Sequence, residues 1–396
     1  MKKLTALLLA LIMVLAMNVA AFAEGETALN SGVAGSEDGN LTGISYNVTF
    51  ESKNGVNKPG ATFGYTIANG VAIAASSGKP AILAGVTGGA TLTNPAAAFT
   101  TAAADGADTG KINIAFDATK FTQPGIYRYV ISEDDNTLSE PMKAAGISKG
   151  DTYSTAYLDV YVAKEGSGFK VNAAVLNTDI NTRNHITSTK IDGFRYYYTI
   201  DPGDITTPDP RDDTPESYDV KVSKTVDGAA ASTDQGFAFT VTINAMPDAT
   251  GVSFAGVQVP YQVYDSSDAA KTGENGTVTI SATENQTANV TLKHGDYVKF
   301  TGLPKGATIT AAEEPLDYTP SYAVTGMKTD STDGKNSATD TVAASKLGVM
   351  AFKNTRTAIS PTGVVLRVAP YAIMLGAGVV LFIILKSRKN KAVEEA

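Results

Sequence analysis

Between residues 41 and 356 the apolar side chains recur at every second position in short runs, and this alternation constrains the fold most. Ile44 to Phe50, Thr62 to Ile67, Ile126 to Ile131 and Ala156 to Val162 each set β-branched or aromatic residues on one side, with Gly, Pro and Asn between the runs. A period of two places alternate side chains on opposite faces of a strand, and many short strands separated by turn residues argue for an antiparallel β-sandwich. A second series does the same: Val220 to Val226, Phe237 to Ile243, Val257 to Tyr264, Thr277 to Ile280, Asn289 to Leu292 and Tyr297 to Phe300. Residues 201–216 separate the two series with four prolines and five aspartates, a composition that reads as an extended linker. The expectation is an all-β chain with two tandem sandwiches, residues 41–200 and 217–356. Residues 24–40, rich in Gly, Ser, Glu and Asn, read as a flexible lead-in.

Both ends carry sorting information. Met1-Lys2-Lys3 precedes an apolar run from Leu4 to about Ala16, and the stretch closes on Ala21-Phe22-Ala23. Small residues at the last and third-last positions are what signal peptidase reads, so residues 1–23 are expected to be an export signal. At the other end, Ser360-Pro361-Thr362-Gly363 leads into an apolar stretch, Val364 to Leu385, and then a basic cluster from Lys386 to Lys391. The stretch is long enough to cross a bilayer, and the basic residues would stay on the cytoplasmic side. Arg367 and Pro370 interrupt its first turns, where Arg367 would snorkel to the outer interface. A plain tail anchor is one reading. The order of parts, Pro-Thr-Gly then apolar run then basic tail, resembles a sortase sorting signal. There the membrane stop holds the substrate while a cysteine transpeptidase cuts between Thr362 and Gly363. Ile359-Ser360 departs from the common Leu-Pro-x-Thr-Gly form and looks more like the variant ending in Val-Pro-Thr-Gly, with serine for valine. Residues 357–396 are thus expected to be a sorting motif, transmembrane segment and basic tail, and the mature protein to be anchored at the cell wall.

Removing both signals takes away seven basic and two acidic residues of the 32 and 40 in the chain, so the net charge moves from −8 to −13. An acidic, sparsely charged chain is a poor nucleic-acid binder. Cysteine is absent, which excludes thiol catalysis, cysteine metal sites and disulfide staples. His185 and His294 have no ligand company at useful spacing, and Glu133-Asp-Asp-Asn136 matches no defined cation loop, so neither a metal nor a cofactor is expected.

Three residues are polar where the alternation calls for apolar. In Val220-Lys-Val-Ser-Lys-Thr-Val226, Lys224 shares a face with Val220, Val222 and Val226. Asn354 shares one with Met350 and Phe352, and Glu313 with Ile309 and Ala311; Glu314 replaces Glu313 if the register slips by one. Burial disfavours both charges, lowering the lysine pKa and raising that of the glutamate. A neutral amine is a nucleophile and a protonated carboxyl polarises an amide, so a Lys224–Asn354 isopeptide bond with loss of ammonia is one reading. An ordinary strand-edge Lys–Glu pair is the other.

Val222-Ser-Lys224-Thr-Val226-Asp-Gly228 followed by Phe237-Ala-Phe239, Phe300-Thr-Gly-Leu-Pro304 ahead of Glu313, and Ala351-Phe-Lys-Asn354 shortly before Pro361 together resemble the isopeptide domains of Gram-positive, streptococcal-type major pilins. Val368-Ala-Pro-Tyr371 resembles the tail of that family. The resemblance runs in order along the mature chain. It implies Ig-like (CnaB-type) sandwiches, and the Lys224–Asn354 bond with Glu313 as catalytic acid. In the first sandwich, Pro124-Gly-Ile-Tyr-Arg-Tyr-Val-Ile-Ser-Glu133 is similar to the family's glutamate strand. Its partners are missing: Tyr46, Val48 and Phe50 stand inward where the family has lysine, and Tyr196 where it has asparagine. Glu133 is therefore an unpaired family glutamate, with Lys53 or Lys58 and a nearby asparagine as the alternative. Lys190 lies just before the last strand of this sandwich, where the family carries the lysine joined to the next subunit; a solvated loop lysine is the plain reading.

The resemblance implies a structural protein rather than a turnover enzyme: the backbone subunit of a pilus. Its expected partners are a pilus sortase, a housekeeping sortase, identical subunits and peptidoglycan. The rival is a monomeric wall-anchored adhesin for a host or neighbouring-cell ligand. A secreted hydrolase lacks any nucleophile–base pair or close carboxylate dyad in the sequence.

Overall fold

The computed structural model describes residues 27–28, 32–36, 39–52, 57–76, 79–101, 106–179, 190–198, 218–342 and 347–357. The export signal, the 201–216 linker, Pro361-Thr362-Gly363 with its apolar tail, Lys53 and His185 lie outside the described residues. More than half of the described chain is strand and very little is helix, and each alternating run identified above falls within or overlaps a strand.

The first domain packs two sheets. One runs in the order Ile147–Lys149, Gly193–Tyr198, Gly43–Ser52, Gly106–Phe116, Ala90–Asn94, with Thr27–Ala28 beside Gly43–Ser52. The other contains Gly60–Asn69, Gly125–Glu133, Thr155–Glu165, Gly168–Asn177 and Val33–Gly35 in that order. Its opening and closing strands, Gly43–Ser52 and Gly193–Tyr198, lie side by side in parallel. The second domain repeats the plan. Its seven-stranded sheet sets the opening strand Val220–Asp227 parallel to the closing strand Gly348–Thr355, and a four-stranded sheet holds Phe237–Ile243 and Thr308–Glu313. Side chains on the inner faces meet in one core, which includes Ile44, Val48, Phe63, Ile131, Val222, Phe239, Ile309 and Phe352.

Some strands depart from simple alternation for a visible reason. Leu158 to Val162 are buried on both faces, because Val33, Ile82, Ile126, Tyr161, Ala173 and Val175 form a second apolar cluster behind the sheet. Two charges share that outer face. Arg128 Nε and Nη2 donate to Asp159 Oδ1 and Oδ2, each at 2.7 Å, and both residues are fully buried cross-strand partners. Such a pair persists in the interior because each charge satisfies the other in a two-point geometry. The long strands Gly106–Phe116 and Gly168–Asn177 were not singled out in the sequence, since their Gly and Ala blur the apolar alternation. Among the described residues of 24–40 the expectation of a flexible lead-in is corrected: Thr27–Ala28 and Val33–Gly35 are strands, and Val33 and Ala34 are buried.

A strand pairing also crosses the domain junction. Val252 and Ser253 of the second domain pair with Ala61 and Gly60 of the first, and Thr62 N–H donates to the Gly251 carbonyl at 3.1 Å. Ser139 Oγ donates to the Thr250 carbonyl at 3.1 Å, and Asn57 Nδ2 to that of Gln258. Gly251 makes this approach feasible: its φ is +80°, and a Cβ there would lie 2.7 Å from Met142 Sδ, itself fully buried. A side chain at this position both strains the backbone and pushes Met142 away. Gly251→Val should therefore loosen the junction by about 1–2 kcal/mol, raising hydrogen exchange of the Thr62 amide by about tenfold. Unchanged protection at Thr62 would show that the junction does not depend on this glycine.

Candidate functional site

Lys224, Glu313 and Asn354 converge inside the second domain. Parallel pairing of the opening and closing strands sets Val226 opposite Asn354 and Lys224 opposite Phe352, so lysine and asparagine stand on one inner face of one sheet. Glu313 reaches them from the facing sheet, held opposite Phe239 at the end of Thr308–Glu313. Relative exposures of 1% for Lys224, 3% for Glu313 and 0% for Asn354 put all three out of water. Glu314, the alternative under a register slip, is exposed.

One oxygen gathers the three. Glu313 Oε1 accepts a hydrogen bond from Lys224 Nζ and another from Asn354 Nδ2 at 2.6 Å. Around them Lys224 Nζ lies 4.3 Å from the ring centre of Phe237 and 5.9 Å from that of Phe239, and Phe239 meets Phe352 edge-on. Such an apolar enclosure penalises charge. Desolvation lowers the Lys224 pKa to about 8, with the hydrogen bond and charge of Glu313 opposing the fall. The Glu313 pKa is raised by the same desolvation, opposed by Lys224 and Asn354. Glu313 Oε2 and Asn354 Oδ1 are buried without a hydrogen-bond partner among the described residues. Ion pair and neutral pair differ only in where one proton sits along the Nζ–Oε1 contact, and the apolar surroundings shift that balance toward amine and carboxylic acid. An amine, a carboxylic acid and a carboxamide in contact are the components of an amide exchange.

The first domain builds the same frame with different side chains. Glu133 stands opposite Tyr65, as Glu313 stands opposite Phe239. Tyr196 stands opposite Phe50, as Asn354 stands opposite Val226. Counting two residues back along each opening strand gives Val48 at the place of Lys224. Tyr196 Oη donates to Glu133 Oε1 at 2.5 Å, copying the asparagine's hydrogen bond, and lies 2.9 Å from Tyr65 Oη. The cation comes from elsewhere: Lys149 Nζ lies 2.7 Å from the same Glu133 oxygen, on the strand beside Tyr196. Burial, with Tyr65 and Glu133 adding to it, holds the Tyr196 phenol far above its ordinary pKa, so it serves as a donor. Lysine, acid and donor are all kept, but a phenol offers no carbonyl for an amine to attack.

Sequence reasoning missed Lys149, whose only signal is the brief alternation Ile147-Ser148-Lys149 after a glycine. Lys58 is buried, with Nζ 3.0 Å from the Phe50 carbonyl and 2.7 Å from Asp108 Oδ2. His294 has a structural part: its Nδ1 accepts from the Val226 N–H at 3.0 Å, beside the triad strand. Lys190 is half-buried at a bridge with Asn177, and desolvation alone lowers its pKa.

Comparison with known proteins fits this geometry. Residues 83–199 match the Spy0128-like isopeptide containing domain, and residues 218–356 match a domain of unknown function, DUF7601. The major pilin from Streptococcus pyogenes aligns at a TM-score of 0.56 with 18% identity, over 80% of this chain and 99% of that one. The fold is that of a streptococcal major pilin. Two further S. pyogenes major pilins agree: T3.2 at 0.52 and 20% identity, over 82% of this chain and 99% of that one, and T-13 at 0.50 and 21%, over 83% and 100%. No curated protein matches. The isopeptide-family match begins after the opening strand of the first domain and so includes Glu133 and Tyr196 but not Val48.

The register correspondence yields a test. Val48→Lys with Tyr65→Phe and Tyr196→Asn places the three reactive groups of the second domain at equivalent positions in the first. The triple variant should lose one ammonia from a peptide pair spanning residues 48 and 196, detected by mass spectrometry. An unmodified pair in a folded protein would show that register alone is insufficient.

Proposed function

We propose that this chain is the backbone subunit of a sortase-assembled, cell-wall-anchored pilus, stabilised internally by a Lys224–Asn354 isopeptide bond. The observation that carries the reading is the meeting of Lys224 and Asn354 on one buried glutamate oxygen, within a fold shared with major pilins. Export and anchoring follow from the two sorting signals in the sequence.

In the proposed reaction Lys224 gives its proton to Glu313 and becomes a neutral amine. Half a turn of the Asn354 carboxamide brings Oδ1 toward Glu313, whose proton polarises the carbonyl. The amine attacks Cγ, the proton it loses passes through the glutamate to the departing nitrogen, and ammonia leaves with Glu313 again a carboxylic acid. One C–N bond forms and one breaks, without an oxidant or metal. The event happens once per molecule, so the protein is a structural element rather than a turnover catalyst.

Such a bond ties the first strand of the domain to the last. On the chain-entropy account used for disulfides, closing a loop of this size stabilises by about 4–5 kcal/mol. It also prevents the adjacent opening and closing strands from separating under a pull. Assembly then needs an acyl donor, Thr362, and an amine. Lys190 suits the second role: it is partly desolvated, and among the described residues no ion pair engages it. Lys170, by contrast, pairs with Glu165 at 3.2 Å.

Two measurements test the proposal. The exported protein should be one ammonia lighter than its sequence by mass spectrometry. Lys224→Ala or Asn354→Ala should restore the full mass, and Glu313→Ala should stop or greatly slow the reaction; an unmodified wild type would sink the bond. In wall digests, Lys190→Arg should abolish the multimer ladder while export and monomer attachment persist. Arginine keeps the charge but is no nucleophile at neutral pH. A persisting ladder would shift attention to Lys164 and Lys170, and a single wall-linked band in the wild type would favour the monomeric adhesin.

A further inference from the structure

We propose that the N-terminal arm, Gly32 to Gly35, forms part of the acyl-acceptor site, and that Gly32 is a positioning residue for Lys190. The inference rests on the reading of Lys190 given above.

The strand Gly168–Asn177 has two successive partners along one edge. Val33, Ala34 and Gly35 pair with Val175, Ala174 and Ala173. Beyond them the edge passes to Lys190 and Ile191: Asn177 bridges Lys190, and Ile191 N–H donates to the Leu176 carbonyl at 3.1 Å. The changeover falls at Leu176, whose own N–H donates to the Gly32 carbonyl at 2.9 Å. One residue of the sheet thus binds the arm through its nitrogen and the lysine segment through its oxygen.

Gly32 is the contact between the two segments. Its φ is +78°, and a Cβ there would lie 2.7 Å from Ile191 O and 2.8 Å from both Ile191 N and Lys190 Cβ. Only a bare α-carbon fits against this backbone, and only glycine takes that φ without strain. Thr27 and Ala28 pair in parallel with Ile44 and Ser45, in line with the closing strand that follows Lys190. Asn177 completes the seat: it is fully buried, and its Nδ2 donates to the Tyr157 carbonyl at 3.1 Å. Backbone contacts on both sides fix the base of Lys190. A nucleophile whose base is fixed reaches an acyl group with less loss of orientation than one on a free loop. The partial desolvation of Lys190 is the electrostatic trace of the same enclosure.

The test uses the full chain in cells that hold its pilus sortase, and the purified exported protein. Gly32→Val and the milder Gly32→Ala should lower the multimer ladder, the valine by about tenfold or more. The second domain should stay one ammonia short in both. Acylation of Lys190 by an amine-selective reagent, followed against pH by peptide mapping, should shift upward toward ordinary lysine as the seat opens. Gly166→Ala is the control for backbone strain alone, since Gly166 has φ +56° with nothing within 4 Å; it should change neither ladder nor profile. A normal ladder and labelling profile in Gly32→Val would overturn the proposal. So would a first domain that unfolds in both Gly32 variants, because positioning must be separable from folding. Loss of the ladder in Lys190→Arg but not in Gly32→Val removes the arm's role alone, whereas an intact ladder in Lys190→Arg removes the reading on which it rests.

Discussion

A carboxyl group sealed between two apolar sheets is costly to keep charged, and Glu313 is sealed there with an amine and a carboxamide against it. Neighbouring features of the second domain follow from accommodating that contact. Opening and closing strands must be adjacent and parallel for Lys224 and Asn354 to share a face, and Phe237, Phe239 and Phe352 must be large enough to exclude water. With water excluded, the neutral forms gain over the charged ones. A lysine and glutamate at a strand edge in solvent would be an ion pair worth little.

The first domain shows the same frame filled by different side chains. Glu133 occupies the equivalent register position but is answered by Tyr196, Tyr65 and Lys149, and Lys149 enters from the strand beyond the closing one. Its lysine and glutamate side chains remain 19% and 12% exposed, so charge there is partly solvated. The cluster links sheet to sheet through hydrogen bonds, which exchange with water when the domain opens. Two domains of one plan therefore place different side chains around the same buried glutamate position, and strand pairing at Gly60–Ala61 and Val252–Ser253 links them at the junction.

Along the chain, small residues mark where backbones approach each other. Gly251 lets the second domain lie against Met142, and Gly32 lets the arm lie against Lys190. The sequence offers no direct sign of either, because a glycine in a polar stretch reads as a turn until its neighbours in space are known. The arm is a case in point. Its few apolar residues are too short a run to show alternation, and Val33 and Ala34 are buried by pairing with a strand more than a hundred positions away.

The sequence by itself determined the all-β class, the domain plan and the inward phase of Lys224, Glu313 and Asn354, because a side-chain period of two is a local property of each strand. It also determined that the first domain lacks the lysine and asparagine, since Val48 and Tyr196 stand in plain sight. Tertiary structure alone decided that Lys224 and Asn354 meet on one Glu313 oxygen, that Lys149 pairs with Glu133, and that Gly32 lies against Lys190. Contacts of that kind depend on which strands become neighbours and in what register, and neither is written in any run of residues shorter than the sheet.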